Sequence, residues 1–259
     1  MKWSKSKYES LYKKYTDEKY LVSDPVEFCR QAENPNDAEL IGFVSSQFAY
    51  GNVSAMRKFL VDLFKHKECS SVEKLITVKQ FKLKSLYYRF QTSRDIETFF
   101  QVLKEISQAR LTRSGFLFEP EISDSKNSQK DNIDEIRNAF WNSAPITRRT
   151  HGYKQLTGFG SDQSARKRYC MFFRWMTRNT FPDLGLYQRI KTENLIIPLD
   201  THIMKISGLL GLRTGNTVNW KTATEITENL KKIQPDDPLK YDFSLTRPGI
   251  LKEFSSLRL

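Results

Sequence analysis

Two residues of this 259-residue chain are suited to do chemistry together, Lys167 and Asp200. Lys167 stands in Ser164-Ala165-Arg166-Lys167-Arg168, at the start of an aromatic-rich helical pattern. Asp200 stands in Ile197-Pro198-Leu199-Asp200-Thr201-His202, where an extended apolar run turns into the next helix. An amine can attack a sugar carbon while a carboxylate takes up protons or stabilises positive charge. Each residue also has a purely structural reading. At about 100° per residue, Tyr169, Phe172, Phe173 and Met176 face a core, and Lys167, Arg174 and Arg178 fall on the opposite, solvated side. Aspartate before a helix is a common N-cap, and that role alone would account for Asp200. The two roles are compatible, because a capping carboxylate is held rigid. His202 reads as a phosphate contact or, preferably, as a polar first-turn residue.

The elements that must position this pair are helical. Residues 1–20 form a charged amphipathic pattern with Trp3, Tyr8, Leu11, Tyr12 and Tyr15 at helical spacing. Asp24-Pro25 starts a second helix, and Asn34-Pro35 starts a third through the apolar stripe of Leu40, Phe43, Val44, Gln47 and Phe48. Asn52 or Ser54 caps a helix over 56–64. Further helices are predicted over roughly 72–90, 95–110 and 133–141. The polar, aromatic-free run 121–134 reads as a loop, serving either as a linker between two lobes or as an insertion in one domain. Gly158-Phe159-Gly160 makes a turn, and Ser161 or Asp162 caps a helix to about Arg178. A short helix over 183–191, an extended run over 195–199, a helix from Asp200 to about Leu210 and a last long helix over 220–232 complete the pattern. Two-residue alternation is almost absent, so the fold class is all-α.

Length suits one large domain or two closely packed lobes. The composition is that of a folded chain, with 13% aromatic residues. No window approaches the ~20 apolar residues of a membrane span. The first residues carry charge and no signal-like apolar stretch, so a cytoplasmic protein is expected, without a membrane partner. Cys29, Cys69 and Cys170 are widely spaced, and His66, His151 and His202 lack metal spacing; neither a metal nor a cofactor is expected. Net charge is +12, from 42 Lys and Arg against 30 Asp and Glu. That balance favours a polyanionic partner, because cationic side chains release counterions from a phosphate backbone. It is equally the mark of a lysine-rich soluble surface. As a group, Arg148, Arg149, Lys154, Arg166 and Arg168 suit phosphate contacts.

Lys167-Arg-Tyr-Cys-Met-Phe-Phe-Arg174 resembles the lysine helix of helix-hairpin-helix DNA glycosylases of the 8-oxoguanine glycosylase and endonuclease III superfamily. Leu199-Asp200-Thr-His202-Ile203 resembles their aspartate segment, and Glu39 to Gln47 their early core helix. Asp242, in Tyr241-Asp242-Phe243, loosely resembles a late aspartate of the 8-oxoguanine enzymes. Two spacings depart from that pattern. Gly160 stands seven residues before Lys167, and Asp200 lies 33 residues after it. More of the chain is similar to an uncharacterised bacterial domain-of-unknown-function family, through Asp24-Pro25-Val26-Glu27-Phe28, Ser164 to Arg168, Phe173-Arg174-Trp175-Met176, Pro198 to His202 and Asp237 to Phe243.

The glycosylase resemblance implies a two-lobed all-α fold that binds damaged duplex DNA. It implies that Lys167 attacks C1′ of a flipped nucleoside, with or without strand cleavage through a Schiff base, while Asp200 assists departure of the base. It makes Gln47 a wedge or base contact, Asp242 a base contact and His202 part of the DNA-binding set. A monomer is expected. The alternatives are a DNA-binding module without chemistry on the same scaffold, and an enzyme on another nucleic-acid substrate.

Overall fold

Asparagine side chains start three of the helices. Asn34 Oδ1 accepts from the amide of Asp37 at 2.9 Å, Asn52 Oδ1 from Ala55 at 3.0 Å and Asn219 Oδ1 from Thr222 at 2.9 Å. Each satisfies an amide that the helix itself leaves unpaired. The computed structural model describes residues 4–110, 115–120, 128–251 and 253. Among them the order is α1 (Lys5–Tyr15), α2 (Val26–Arg30), α3 (Pro35–Gln47), α4 (Val53–Phe64), α5 (Val72–Thr77) and α6 (Ser93–Arg110). There follow α7 (Gln129–Ser143), α8 (His151–Thr157), α9 (Lys167–Thr177), α10 (Thr201–Leu209), α11 (Trp220–Lys231) and α12 (Asp242–Ile250). No strand occurs among the described residues, so the fold is all-α.

The chain divides into two compact units. One joins Met1–Asp24 to Ser161–Leu259, and the other is Pro25–Gly160. Of the polar run 121–134, residues 121–127 lie outside the described residues, and 128–134 belong to the second unit.

The second unit is built on α3, buried on every side from Ala38 to Gln47. Phe43 stacks on Phe118 with ring centres 4.1 Å apart, and on Phe140 at 5.5 Å. Glu39 is fully buried beneath them, and its carboxylate accepts from the amides of Leu117 (2.6 Å) and Phe118 (2.8 Å). Burial of this carboxyl group is tolerable because backbone donors replace water.

In the first unit α9 is buried on all faces from Tyr169 to Thr177, with Trp175 and Phe173 fully enclosed. The helix α12 packs against both α1 and α10. Pairing of α1 with α12 joins the two ends of the chain that make up this unit.

Several boundaries differ from expectation. The helix predicted over 72–90 stops at Thr77. Beyond it Phe81, Leu83, Leu86 and Tyr88 are buried, whereas Lys82, Lys84 and Tyr87 are exposed, a near-alternation that a helix cannot satisfy. The polar tail expected as loop to residue 134 starts α7 instead. Ser128 and Asp131 form a reciprocal capping box, which turns polar residues into a helix start. Neither Ser161 nor Asp162 caps a helix; α9 begins six residues later than Ser161, at Lys167. No helix covers 183–191, where the backbone is irregular and Asp183 is drawn into a buried ionic cluster. Residues 1–3 of the first expected helix lie outside the described residues.

Candidate active site

Asp200 occupies the start of α10 for a local reason. Leu195, Ile197 and Leu199 are buried along an extended approach, and the Ile197 amide donates to Thr227 Oγ1 at 3.0 Å. The chain then turns, and Asp200 Oδ1 accepts from the amides of His202 and Ile203, both at 2.9 Å. One carboxylate oxygen is thereby fixed as a cap, leaving Oδ2 available. Lys167 Nζ lies 3.2 Å from that Oδ2. The structure thus brings together two side chains from two helix starts. Both remain partly open to solvent, at 33% for the lysine side chain and 20% for the aspartate.

The residue before Lys167 sets the direction from which it enters. Arg166 has φ +50°, a left-handed conformation that is unfavourable for any residue with a Cβ. Its guanidinium donates to the carbonyls of Asp162 and Ser164, each at 2.9 Å, and lies 5.2 Å from the centre of the Trp220 ring. Arg166 is 5% exposed. Its guanidinium, expected among the phosphate contacts, faces inward in this conformation and holds a turn.

Further along α9 lies a buried ionic ladder. Arg174 pairs with Asp183 at 3.1 Å and with Asp242. Arg178 pairs with Asp183, and with Asp237 at 2.8 Å. Arg247 pairs with Asp24 at 3.0 Å and donates to the Tyr20 carbonyl. The expected solvated face of α9 is therefore absent. Arg174 and Arg178 are 4% and 1% exposed because aspartates far along the chain meet them. Burial by itself would pull the Arg174 guanidinium down. The charges of Asp183, Asp242 and Asp24 outweigh burial and hold it above its usual value.

Asp242, expected to contact a base, is 2% exposed and serves as a partner of Arg174. Its Oδ1 has no hydrogen-bond partner among the described residues. Burial pushes its carboxyl up, the charge of Arg174 opposes, and the charge of Asp200 adds to the rise. Asp242 is therefore not open to a ligand in this conformation.

The remaining expected site residues scatter. His202 is half-buried in the first turn of α10, and Arg168 is half-buried on α9. Gln47 belongs to the other unit and is fully enclosed, its Nε2 3.1 Å from Ser46 Oγ, so the expected wedge is a core residue as it stands. Arg148, Arg149 and Lys154 are also in that unit. Arg149 closes the end of α7 by donating to the carbonyls of Ala144 and Asn142 at 3.1 and 3.0 Å. Arg148 is half-buried and Lys154 exposed. Asp24, Asp183 and Asp237 carry no mark in the sequence as partners of arginines, beyond standing next to prolines in Asp24-Pro25, Pro182-Asp183 and Asp237-Pro238.

Cys29, Cys69 and Cys170 are buried free thiols, with burial pushing Cys69 and Cys170 well above the usual thiol range. No group of three or more His, Cys, Asp or Glu residues that could hold a metal ion occurs among the described residues, and no helix among them is long and apolar enough to cross a membrane.

Comparison with curated proteins and with solved structures gave no match. A family model does match, over residues 24–251: the chain belongs to the family described as protein of unknown function DUF2400.

Proposed function

We propose that this DUF2400 member is a DNA base-excision glycosylase in which Lys167 is the nucleophile and Asp200 its proton acceptor. The observation that carries the reading is the 3.2 Å approach of Lys167 Nζ to Asp200 Oδ2 at the starts of α9 and α10, with both groups partly open to solvent. The cap made by Asp200 Oδ1 supports it further, because it fixes the acceptor oxygen relative to the amine before any substrate arrives.

In this reading a damaged nucleotide leaves the base stack before it meets Lys167. The ammonium of Lys167 gives a proton to Asp200 Oδ2, and the freed lone pair attacks C1′ of the sugar. The C1′–N bond breaks with its electron pair going to the departing base, which takes up a proton. The Lys167 nitrogen then loses a proton, its lone pair expels O4′ from C1′, and O4′ takes up a proton, which opens the sugar ring and leaves a Schiff base between Lys167 and C1′. Water hydrolyses that Schiff base, or loss of the 2′ proton eliminates the 3′ phosphate and cleaves the strand.

A second reading is a DNA-binding module without chemistry. One observation favours it: the α10 cap and the ion pair together give Asp200 and Lys167 complete structural roles. Borohydride trapping on DNA carrying an abasic site separates the two. The glycosylase reading expects a covalent adduct in the wild type and in Lys13→Gln, an exposed lysine on α1, and none in Lys167→Gln. Salt-sensitive DNA binding with neither adduct nor base release supports the module and ends the glycosylase reading.

A further inference from the structure

Residues 82–94, in the unit that does not contain Lys167, combine charge and aromatic surface in a way that neither the core nor the Lys167 site uses. Tyr87 is 66% exposed and Phe90 51%. Among the described residues they are the two exposed Phe, Tyr or Trp side chains, and they stand three positions apart. Lys82, Lys84, Arg89 and Arg94 are exposed in the same segment, and none of the four forms an ion pair among the described residues. The nearby acid Glu97 is occupied by the Leu83 amide at 3.0 Å, and Asp95 is buried on Thr92 and Thr150.

The segment is anchored rather than loose. Phe81, Leu83, Leu86 and Tyr88 point inward, so the residues between them point outward. Tyr88 and Gln91 exchange backbone hydrogen bonds at 3.0 and 2.8 Å, closing a turn in which Arg89 has φ +51°. Gln91 is fully buried beneath that turn. Its Nε2 donates to the Gly152 carbonyl at 3.1 Å, and its Oε1 accepts from the Tyr50 hydroxyl. A Cβ at residue 152 would collide with the Phe90 carbonyl oxygen, so the glycine lets α8 touch the turn at backbone distance. At the tip the Arg89 guanidinium lies 5.3 Å from the Phe90 ring centre, and the His151 ring meets Phe90 edge-on at 6.2 Å.

A rigid turn that presents aromatic faces among unpaired cations matches the chemistry of single-stranded nucleic acid. Bases stack on aromatic rings whatever their sequence, and lysine and arginine track the phosphates. We propose that residues 82–94 are a docking strip for single-stranded nucleic acid. In it Phe90 and Tyr87 stack unpaired bases, while Lys82, Lys84, Arg89 and Arg94 contact the backbone. The proposal does not depend on any chemistry at Lys167.

The test uses the full chain and a fluorescent single-stranded oligonucleotide containing 2-aminopurine. Tyr87→Ala/Phe90→Ala is expected to weaken binding roughly tenfold or more and to abolish stacking quench of the 2-aminopurine. Lys82→Gln/Lys84→Gln is expected to lower the slope of log affinity against log salt by about 1.4, two phosphates at about 0.7 each. Both pairs are surface substitutions, and matching thermal melts confirm that the fold is kept. Lys13→Gln, a surface lysine of α1 outside both sites, should bind the oligonucleotide like the wild type, and because the readout needs no abasic-site adduct, its failure and that of the glycosylase reading are distinguishable. Unchanged affinity and unchanged quench in the aromatic double variant would overturn the proposal. So would binding to phosphatidylserine vesicles that is lost in the same variant while oligonucleotide binding is not.

Discussion

The guanidinium of Arg166 lies 5.2 Å from the ring centre of Trp220, and the Trp220 amide donates to the Gln163 carbonyl at 2.9 Å. The start of α11 thus clamps the turn that delivers Lys167. Arg166 holds a left-handed backbone there, and its contacts offset the cost.

Replacing Arg166 by glycine tests that clamp. Glycine would relieve about 1 kcal/mol of backbone cost. It would lose two hydrogen bonds to carbonyls, about 1 kcal/mol each, and a cation–π contact of about 0.5–1 kcal/mol. Arg166→Gly should be less stable by about 1.5–2 kcal/mol in urea unfolding. A variant as stable as the wild type means that the guanidinium holds nothing.

Asp200 has two roles that two substitutions separate. Asparagine can still cap α10, whereas alanine cannot, at a cost of about 1 kcal/mol. The exposed part of the Lys167 ion pair adds at most about 1 kcal/mol. Asp200→Asn should therefore stay close to wild-type stability yet lose abasic-site trapping, while Asp200→Ala loses both. Trapping at the wild-type rate in Asp200→Asn removes the carboxylate from the chemistry.

The buried ladder predicts a much larger effect. Arg174→Met leaves Asp183 and Asp242 enclosed without one of their cations. Breaking a buried ion pair from one side costs on the order of 3–5 kcal/mol. The urea midpoint should fall accordingly, and a loss below about 1 kcal/mol would mean that water reaches the cluster.

Asp242 gives a pH signature. Its carboxyl is held above the ordinary value of 3.8, by burial first, with Arg174 opposing and Asp200 adding. The folded chain then keeps this proton at pH values where the unfolded chain has lost it. The stability it contributes is present in full below the unfolded value and is lost as pH rises through the folded value. Asp242→Asn cannot ionise and escapes that loss. Its urea midpoint should improve relative to wild type as pH rises from about 4, the ordinary carboxyl value, towards neutrality. A difference that stays constant across that range contradicts the raised value.

Sequence determined the features set by neighbours within a turn. The capping residues Asn34, Asn52 and Asp200 and the helices they start are local, because a side chain there needs only an amide two or three positions on. The all-α class follows from the helical spacing of apolar residues, which is likewise short-range. Tertiary structure alone decided what the charged residues of α9 do. Arg174 meets Asp242 68 positions away, Arg178 meets Asp237 59 positions away, and Arg247 meets Asp24 223 positions away. An arginine shows the same helical propensity whether it faces water or an aspartate, so the period that marked a solvated face could not reveal a buried one. The 3.2 Å approach of Lys167 to Asp200 belongs with these. Sequence marked both residues as helix starts, but only packing of α9 beside α10 could put the amine against the free oxygen of the cap.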